Sequence, residues 1–431
     1  TRPPPPMWAG AARCVLMSAW AAAAPAPVRR EIARFQRAMD CGLFWVGPDG
    51  RMHRADEVND SVAPVFCRKR PTLLYLHGWE INRVSQGFRE SFDYALTDPR
   101  SAPRARNLGA TAADWLQAGW NVGVFYWDQW SDEPLVADAE AKIWTGRGPQ
   151  GMRYRVGDGA FVLDDEHAAD ERSVGERVAD ALEAQFALEG ALGTAGAPLG
   201  ELRIAGHSLG SQLALNVAHI LFTRARQGGA RAPVPSRVAL LDPHFPRKSP
   251  VNPQAWLTAD IADALGGSST VELNAVRLTE LARSGVVFER YISSAIPDIP
   301  YVASVRPELT SAIPTVRFNV CWTGRFDLEA HHLACPAMYF ASFGRGHADA
   351  GIFSRPGPPA VVPSAQVENA ALATLLEASG LMTGRRELKA SPAWKQLTRV
   401  PALRGREPLR FYEVDPLLGP FPTTPATILP F

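Results

Sequence analysis

ELRIAGHSLGSQLALNVAHILF, residues 201–222, reads as a short apolar strand, a G-x-S-x-G pentapeptide and a helix in unbroken succession. That order gives the pentapeptide its meaning. A serine between a strand and a helix must sit on a sharp, strained turn so that its Oγ projects above the sheet. Strand and helix then approach so closely that only small residues fit on either side, which is the role expected of Gly206, Gly210 and Ser211. Leu209, next in line, falls at the helix N-terminus, where its N–H points to the place an oxyanion would form. Ser208 is therefore the candidate nucleophile, and the alternative reading is a glycine-flanked structural turn.

Working outward, five more apolar runs read as strands: PTLLYLHGW at 71–79, WNVGVFYWDQW at 120–130, RVALLD at 237–242, VVFERYI at 286–292 and TVRFNVCW at 315–322. Helical patterns fall between them, near 111–118 and near 271–283, the latter ending before Gly285. Another begins at Ser173, which with Glu176 forms a capping box. Its inward stripe is Val174, Val178, Ala181, Leu182, Gln185 and Phe186. Residues 131–170 read as a long insertion. One more helix is expected near 364–378, and the proline-punctuated end of the chain reads as an extended strap. Strands alternating with helices predict an α/β fold, a mostly parallel sheet covered by helices on both faces, with the chemistry at the carboxyl ends of its strands. No internal repeat or sustained heptad competes with that reading.

A serine hydroxyl needs a base, and the base an orienting carboxylate, in the chain order Ser, acid, His. Asp242 ends the fourth run, where Pro243 stops the strand and leaves the carboxylate at the sheet edge; an ordinary Asp-Pro turn is the plain alternative. Asp298 and Asp327 are the other acids. His331 and His332 lie downstream of all three, in what reads as a loop, with His347 as the fallback base. His244 stands too close to Asp242 in sequence to be oriented by it. Paired histidines also suggest a metal site, but no ligand spacing surrounds them, so no metal is expected. His77-Gly78-Trp79, after the first run, is placed to give a second oxyanion donor, the N–H of Trp79, facing that of Leu209. Gly146-x-Gly148-x-x-Gly151 spells a dinucleotide fingerprint, but Pro149 interrupts it and no helix pattern follows, so no cofactor is expected.

Composition narrows the partners. With 45 basic and 44 acidic residues in 431, the chain has no excess charge for nucleic acid. No apolar stretch reaches the roughly 18 residues of a spanning helix. CVLMSAWAAAA at 14–24 follows Arg13 and ends before Pro25, the layout of a secretory leader, which predicts export. Removing it leaves Cys41, Cys67, Cys321 and Cys335, compatible with the pairs Cys41–Cys67 and Cys321–Cys335 or with four reduced thiols. Trp79, Trp120, Trp127 and Trp130 read either as lining of an acyl groove or interfacial surface, or as core.

In this order the motifs resemble the pancreatic-lipase-like family of α/β-hydrolase lipases. LYLHGW resembles that family's oxyanion strand and loop, ELRIAGHSLGSQLA its nucleophile elbow, and RVALLDPHFP its acid motif. HLACPAMYFAS at 332–342 resembles its histidine motif and selects His332 over His331. The likeness spans roughly residues 70–345. It implies a serine carboxylester hydrolase of lipid esters, a triacylglycerol lipase or an A1-type phospholipase. Its triad would be Ser208, Asp242 and His332, with Trp79 and Leu209 as oxyanion donors, without a cofactor and with peripheral contact at a lipid interface. The chain departs from the family at Ala334, where an arginine is usual, and at Ala330, where a cysteine is common. The expected organisation is a leader at 1–30, an α/β-hydrolase domain at 31–345, and a helix with a proline-rich tail at 346–431.

Overall fold

The computed structural model describes residues 41–56, 65–87, 89–93, 110–157, 159–163, 171–189, 199–229, 231–245, 270–298, 313, 315–319, 327–344, 369, 398–399 and 410–413. The expected leader, Cys321, His347, all but residue 369 of the helix near 364–378 and most of the tail lie outside them.

Six strands form the parallel centre of one sheet: β3 (Thr72–Leu76), β4 (Asn121–Tyr126), β7 (Leu202–His207), β8 (Arg237–Leu241), β9 (Val287–Ile292) and β10 (Thr315–Asn319), in spatial order β4-β3-β7-β8-β9-β10. These are the six apolar runs of the sequence. They read as continuous rather than alternating because both faces are covered. Leu74 and Leu76, Leu202 and Ile204, Val238 and Leu240 enter one core layer. Leu73 and Tyr75, Ala205, Ala239 and Leu241 enter the other. On the first face lie α4 (Val136–Trp144), α5 (Val174–Glu189), α6 (Gly210–Arg226) and α7 (Thr270–Arg283). On the second lie α2 (Ala112–Gln117) and α8 (Leu328–Gly344).

The capping box forms as read: Ser173 N–H donates to Glu176 Oε2 at 2.7 Å, and Glu176 N–H donates to Ser173 Oγ at 3.2 Å. Val174, Val178, Leu182 and Phe186 are buried beneath it. Gly285 takes φ +99° just after α7, a conformation that favours glycine.

Four short antiparallel strands extend the sheet. β1 (Gly42–Val46) and β2 (Met52–Arg54) add at the β4 edge. β12 (Arg410–Glu413) pairs with β10, and β11 (Thr398–Arg399) with β12. The insertion at 131–170 holds the end of α3 (Asp128–Ser131), α4 and the hairpin β5 (Tyr154–Arg155) and β6 (Phe161–Val162). The Gly146–Gly151 stretch is a turn leading into that hairpin, with Gly146 N–H donating to Glu171 O. Glu133 anchors the insertion as a buried carboxylate bound by Lys142 Nζ (2.6 Å) and Arg153 Nε (2.8 Å).

Of the two readings left open for the cysteines, Cys41 and Cys67 take that of free thiols; desolvation pushes the Cys41 thiol up to about 12. Cys335 sits under β9, its thiol donating to Tyr291 O at 3.5 Å. One expectation is corrected. His331 and His332 lie in the first turns of α8, not in a loop. Asp327 caps that helix, its Oδ1 accepting the Ala330 N–H at 3.0 Å, and the helix continues through Pro336. Among the described residues no helix is long and apolar enough to cross a membrane.

Candidate active site

The carboxyl ends of β3, β7 and β8 are adjacent, and each carries one part of the site. At the end of β7, Ser208 has φ +54°, the left-handed region that costs a non-glycine residue about 1–2 kcal/mol. Surrounding bonds hold it there. Its N–H donates to Leu241 O at 2.9 Å, and its carbonyl accepts from Ser211 N–H (3.1 Å) and His244 N–H (3.0 Å). Both glycines of the pentapeptide are sterically required: a Cβ on Gly206 would run into the Gly210 carbonyl, and one on Gly210 into the carbonyls of Leu76 and His77. Leu209 is fully buried at the N-cap of α6.

At the end of β8, Asp242 also takes a positive φ, +43°, which turns its carboxylate toward β9 and α8. Oδ1 accepts the N–H groups of Ser293 (3.0 Å) and Ser294 (3.3 Å). Oδ2 accepts the Ser294 hydroxyl and lies 2.7 Å from His332 Nδ1. An ionised carboxylate only accepts, so the proton of neutral His332 sits on Nδ1 and Nε2 is left bare. Burial by itself raises the pKa of Asp242, but His332 and the two serines outweigh it and hold the carboxyl below its ordinary range. Asp298 ends a 3-10 turn and Asp327 caps α8, so neither takes the place beside His332.

His207 supports His332 from below. The two rings are 4.5 Å apart, and His207 Nε2 donates to His332 O at 3.1 Å. Burial and the neighbouring His332 hold His207 well below its usual pKa, so it stays neutral. Its place inside the pentapeptide was the only sequence signal for it.

At the end of β3, Gly78 lies against Ser208, a Cβ built on it falling 2.9 Å from Ser208 Cβ and 3.5 Å from Oγ. The loop that continues through Trp79 is clamped by residues 127–133. Trp127 N–H donates to His77 Nε2 (3.0 Å) and Trp127 Nε1 to His77 O (2.9 Å). Trp79 Nε1 donates to Glu133 O at 2.6 Å, and Asp132 accepts the N–H groups of Asn82 (2.6 Å) and Val84 (3.0 Å). This clamp was missed in the sequence because 131–170 read as an appendage. The tryptophans divide accordingly. Trp127 and Trp130 are buried in the clamp, and Trp120 lies at the opposite, amino end of β4, so these three do not line an open groove.

Donor atoms of His77, Glu80 and Asp128 lie within 4.8 Å of one another. His77 Nε2 already accepts the Trp127 N–H, however, and Asp128 Oδ2 is bound by Arg89 at 3.0 Å. Burial, with Glu90 and Asp128 nearby, pushes the Glu80 carboxyl well above the usual range. With His77 Nε2 and Asp128 Oδ2 already taken by protein donors, the set is a poor cation site.

The strand order, the helices on both faces, and a serine on a positive-φ elbow after a central strand are those of the α/β-hydrolase fold. No family model matches the chain, and no curated protein does. Solved structures with some likeness include a putative carboxylesterase from Lactobacillus plantarum, at 10% identity, 55% of this chain, 66% of that one and TM-score 0.28. An inhibited esterase B from Lactobacillus rhamnosis gives 15% identity, 61% and 70% coverage and TM-score 0.27. An extracellular α/β-hydrolase from a Paenibacillus species gives 12% identity, 63% and 98% coverage and TM-score 0.27. The resemblance to pancreatic-lipase-like proteins accordingly rests on the motifs alone.

Proposed function

We propose that this chain is a serine carboxylester hydrolase acting on lipid esters, a triacylglycerol lipase or A1-type phospholipase. The observation that carries the proposal is the Asp242–His332 hydrogen bond of 2.7 Å on the strand beside the Ser208 elbow. Ser208 Oγ attacks the ester carbonyl while His332 Nε2 takes its proton. Asp242 holds the ring and stabilises the imidazolium. The N–H groups of Trp79 and Leu209 receive the oxyanion, at a point where Gly78 lets the loop reach the serine. The C–O bond breaks as His332 returns the proton to the leaving alcohol. Water, deprotonated by the same histidine, then attacks the acyl-enzyme and releases the acid.

The lipid part of the proposal rests on the order of the motifs. Residues 245–270 and 296–314, which separate the proposed acid from the proposed base, lie mostly outside the described residues. Its test is chain length. Each methylene buried in an acyl pocket contributes up to about 0.8 kcal/mol, so kcat/KM should rise well over tenfold from two to about eight acyl carbons. Emulsified esters should also be cleaved faster than dissolved ones. A preference for acetyl esters with no response to aggregated substrate would point to a non-lipid esterase, the alternative that the burial of Trp127 and Trp130 favours.

A further inference from the structure

Three histidines gather about the elbow: His207 precedes Ser208, the His332 ring lies 4.5 Å from that of His207, and His244, whose main chain binds Ser208 O, has no task in the reaction described. His207 and His332 are both tied through ring nitrogens. His244 is held by its main chain alone. Its N–H donates to Ser208 O at 3.0 Å, and its carbonyl accepts Gln212 Nε2 at 3.0 Å. Gln212 is in turn gripped by Trp144 Nε1 (3.1 Å) and Asn274 Nδ2 (3.0 Å) on its Oε1. The backbone of His244 is thus fixed against the nucleophile turn, whereas ring atom Nε2 is buried with no hydrogen-bond partner among the described residues. The residue is 6% exposed, and Phe245 beside it is part of the core.

Such a placement is costly without a ligand. A buried polar atom left unpaired costs about 1–3 kcal/mol, and a leucine or phenylalanine would fill the same space without that cost. Burial and the adjacent His332 push His244 down to about 4, so near neutral pH it is an uncharged imidazole with one N–H and one bare nitrogen. That is the chemistry of a hydroxyl's partner. The side of the ester follows from strand order. Gly78 and the Trp79 donor follow β3 on one flank of β7, and the Leu209 donor follows β7 itself; His244 and Asp242 follow β8 on the other flank, where His332 returns the proton to the leaving alcohol.

We propose that His244 determines specificity by hydrogen-bonding a hydroxyl on the alcohol moiety of the ester, next to the scissile C–O bond. The favoured substrates are then esters of polyols, such as partial glycerides, over esters of simple alkanols. The inference rests on the hydrolase reading above and narrows its substrate class.

The test compares 2-hydroxyethyl butyrate with propyl butyrate, which differ by a hydroxyl in place of a methyl group. The wild-type ratio of kcat/KM should favour the hydroxylated ester by about tenfold or more, since a site built to pair a hydroxyl rejects its methyl analogue. His244→Phe keeps the ring volume and should collapse the ratio toward one, while His244→Gln, which retains a donor and an acceptor, should keep part of it. The rate of Ser208 labelling by a fluorophosphonate reports in each variant whether the site has folded, and the glutamine variant carries the comparison if the phenylalanine variant does not label. A wild type that labels and turns over both esters without discrimination, or a ratio unmoved in a labelling variant, overturns the role of His244 and leaves the hydrolase reading standing. A wild type that neither labels nor turns over ester overturns both.

Discussion

Gly78→Ala isolates the oxyanion loop from the rest of the site. The φ of Gly78 lies outside the left-handed region, so the backbone accepts a side chain and the clash acts alone. The added Cβ would stand 2.9 Å from Ser208 Cβ and 3.1 Å from His207 O, where ordinary contact begins at 3.4 Å. Loop or elbow must therefore give by about 0.5 Å, the difference between 2.9 and 3.4 Å. The loop is clamped through His77, Trp79 and Asp132, and the elbow is pinned by Leu241 and His244, so neither yields freely. Whichever moves, the distance from nucleophile to oxyanion donor changes. A misplacement approaching 1 Å costs about 10²-fold, and loss of a donor about 10²–10³-fold. Overpacking costs roughly 1–3 kcal/mol of stability, which a folded domain of this size tolerates. The expected outcome is a fall in kcat/KM for p-nitrophenyl butyrate of about 10²-fold or more, mostly in kcat, with a cooperative melt retained. Affinity for a boronate transition-state mimic should fall in parallel. Activity within about tenfold of wild type, in a variant that melts cooperatively, would refute the placement of the oxyanion donors.

Asp242→Asn should lower kcat by a factor on the order of 10⁴, because an amide cannot hold His332 in the Nδ1–H tautomer. The same variant should flatten the acid limb of stability. The folded-state pKa of Asp242 is depressed, so its contribution is present above about pH 4 and lost as pH falls through the lower folded value, which chemical denaturation between about pH 5 and 2 will register. Glu140 on α4 runs the other way. Burial, partly offset by Thr270 and Gln212, pushes its carboxyl up to about 7. The native state then holds a proton that the unfolded chain releases, and stability declines as pH rises from about 4 to 7. Glu140→Gln should remove that decline, raising the melting temperature more at pH 8 than at pH 5 by the equivalent of a few kcal/mol at most; an equal change at both would count against it. Asp132→Ala strands the N–H groups of Asn82 and Val84, at about 1–3 kcal/mol each, and should lower kcat more than it raises KM as the loop loosens.

The sequence made the parallel centre of the sheet legible because strands such as β3, β4, β7 and β8 are buried on both faces and therefore spelled as largely apolar runs. The edge strands escaped notice. β1 mixes buried with partly buried residues, the three residues of β2 are all partly buried, and β11 and β12 are too short to show a period. Ser208 and Gly78 were readable because a close backbone approach demands glycine at fixed offsets, and Asp242 because Pro243 marks where its strand must stop. The first turns of α8 were read as a loop; in the structure Asp327 caps them at the Ala330 N–H and the helix runs on through Pro336. Ser293 and Ser294 could not be foreseen, since only the pairing of β8 with β9 brings them to Asp242. The clamp of 127–133 on 77–84 depends on contacts about 50 residues apart and has no local spelling.

The most direct test of the account is where a fluorophosphonate attaches. Incubation of the full chain with the probe, followed by proteolysis and mass spectrometry, should place one covalent label on the peptide containing Ser208. The label should vanish in Ser208→Ala and form at least about 10³-fold more slowly in His332→Ala, since nucleophile and base act as one unit. A label on another serine, or a labelling rate indifferent to His332, would contradict the assignment of Ser208, Asp242 and His332 as a catalytic triad.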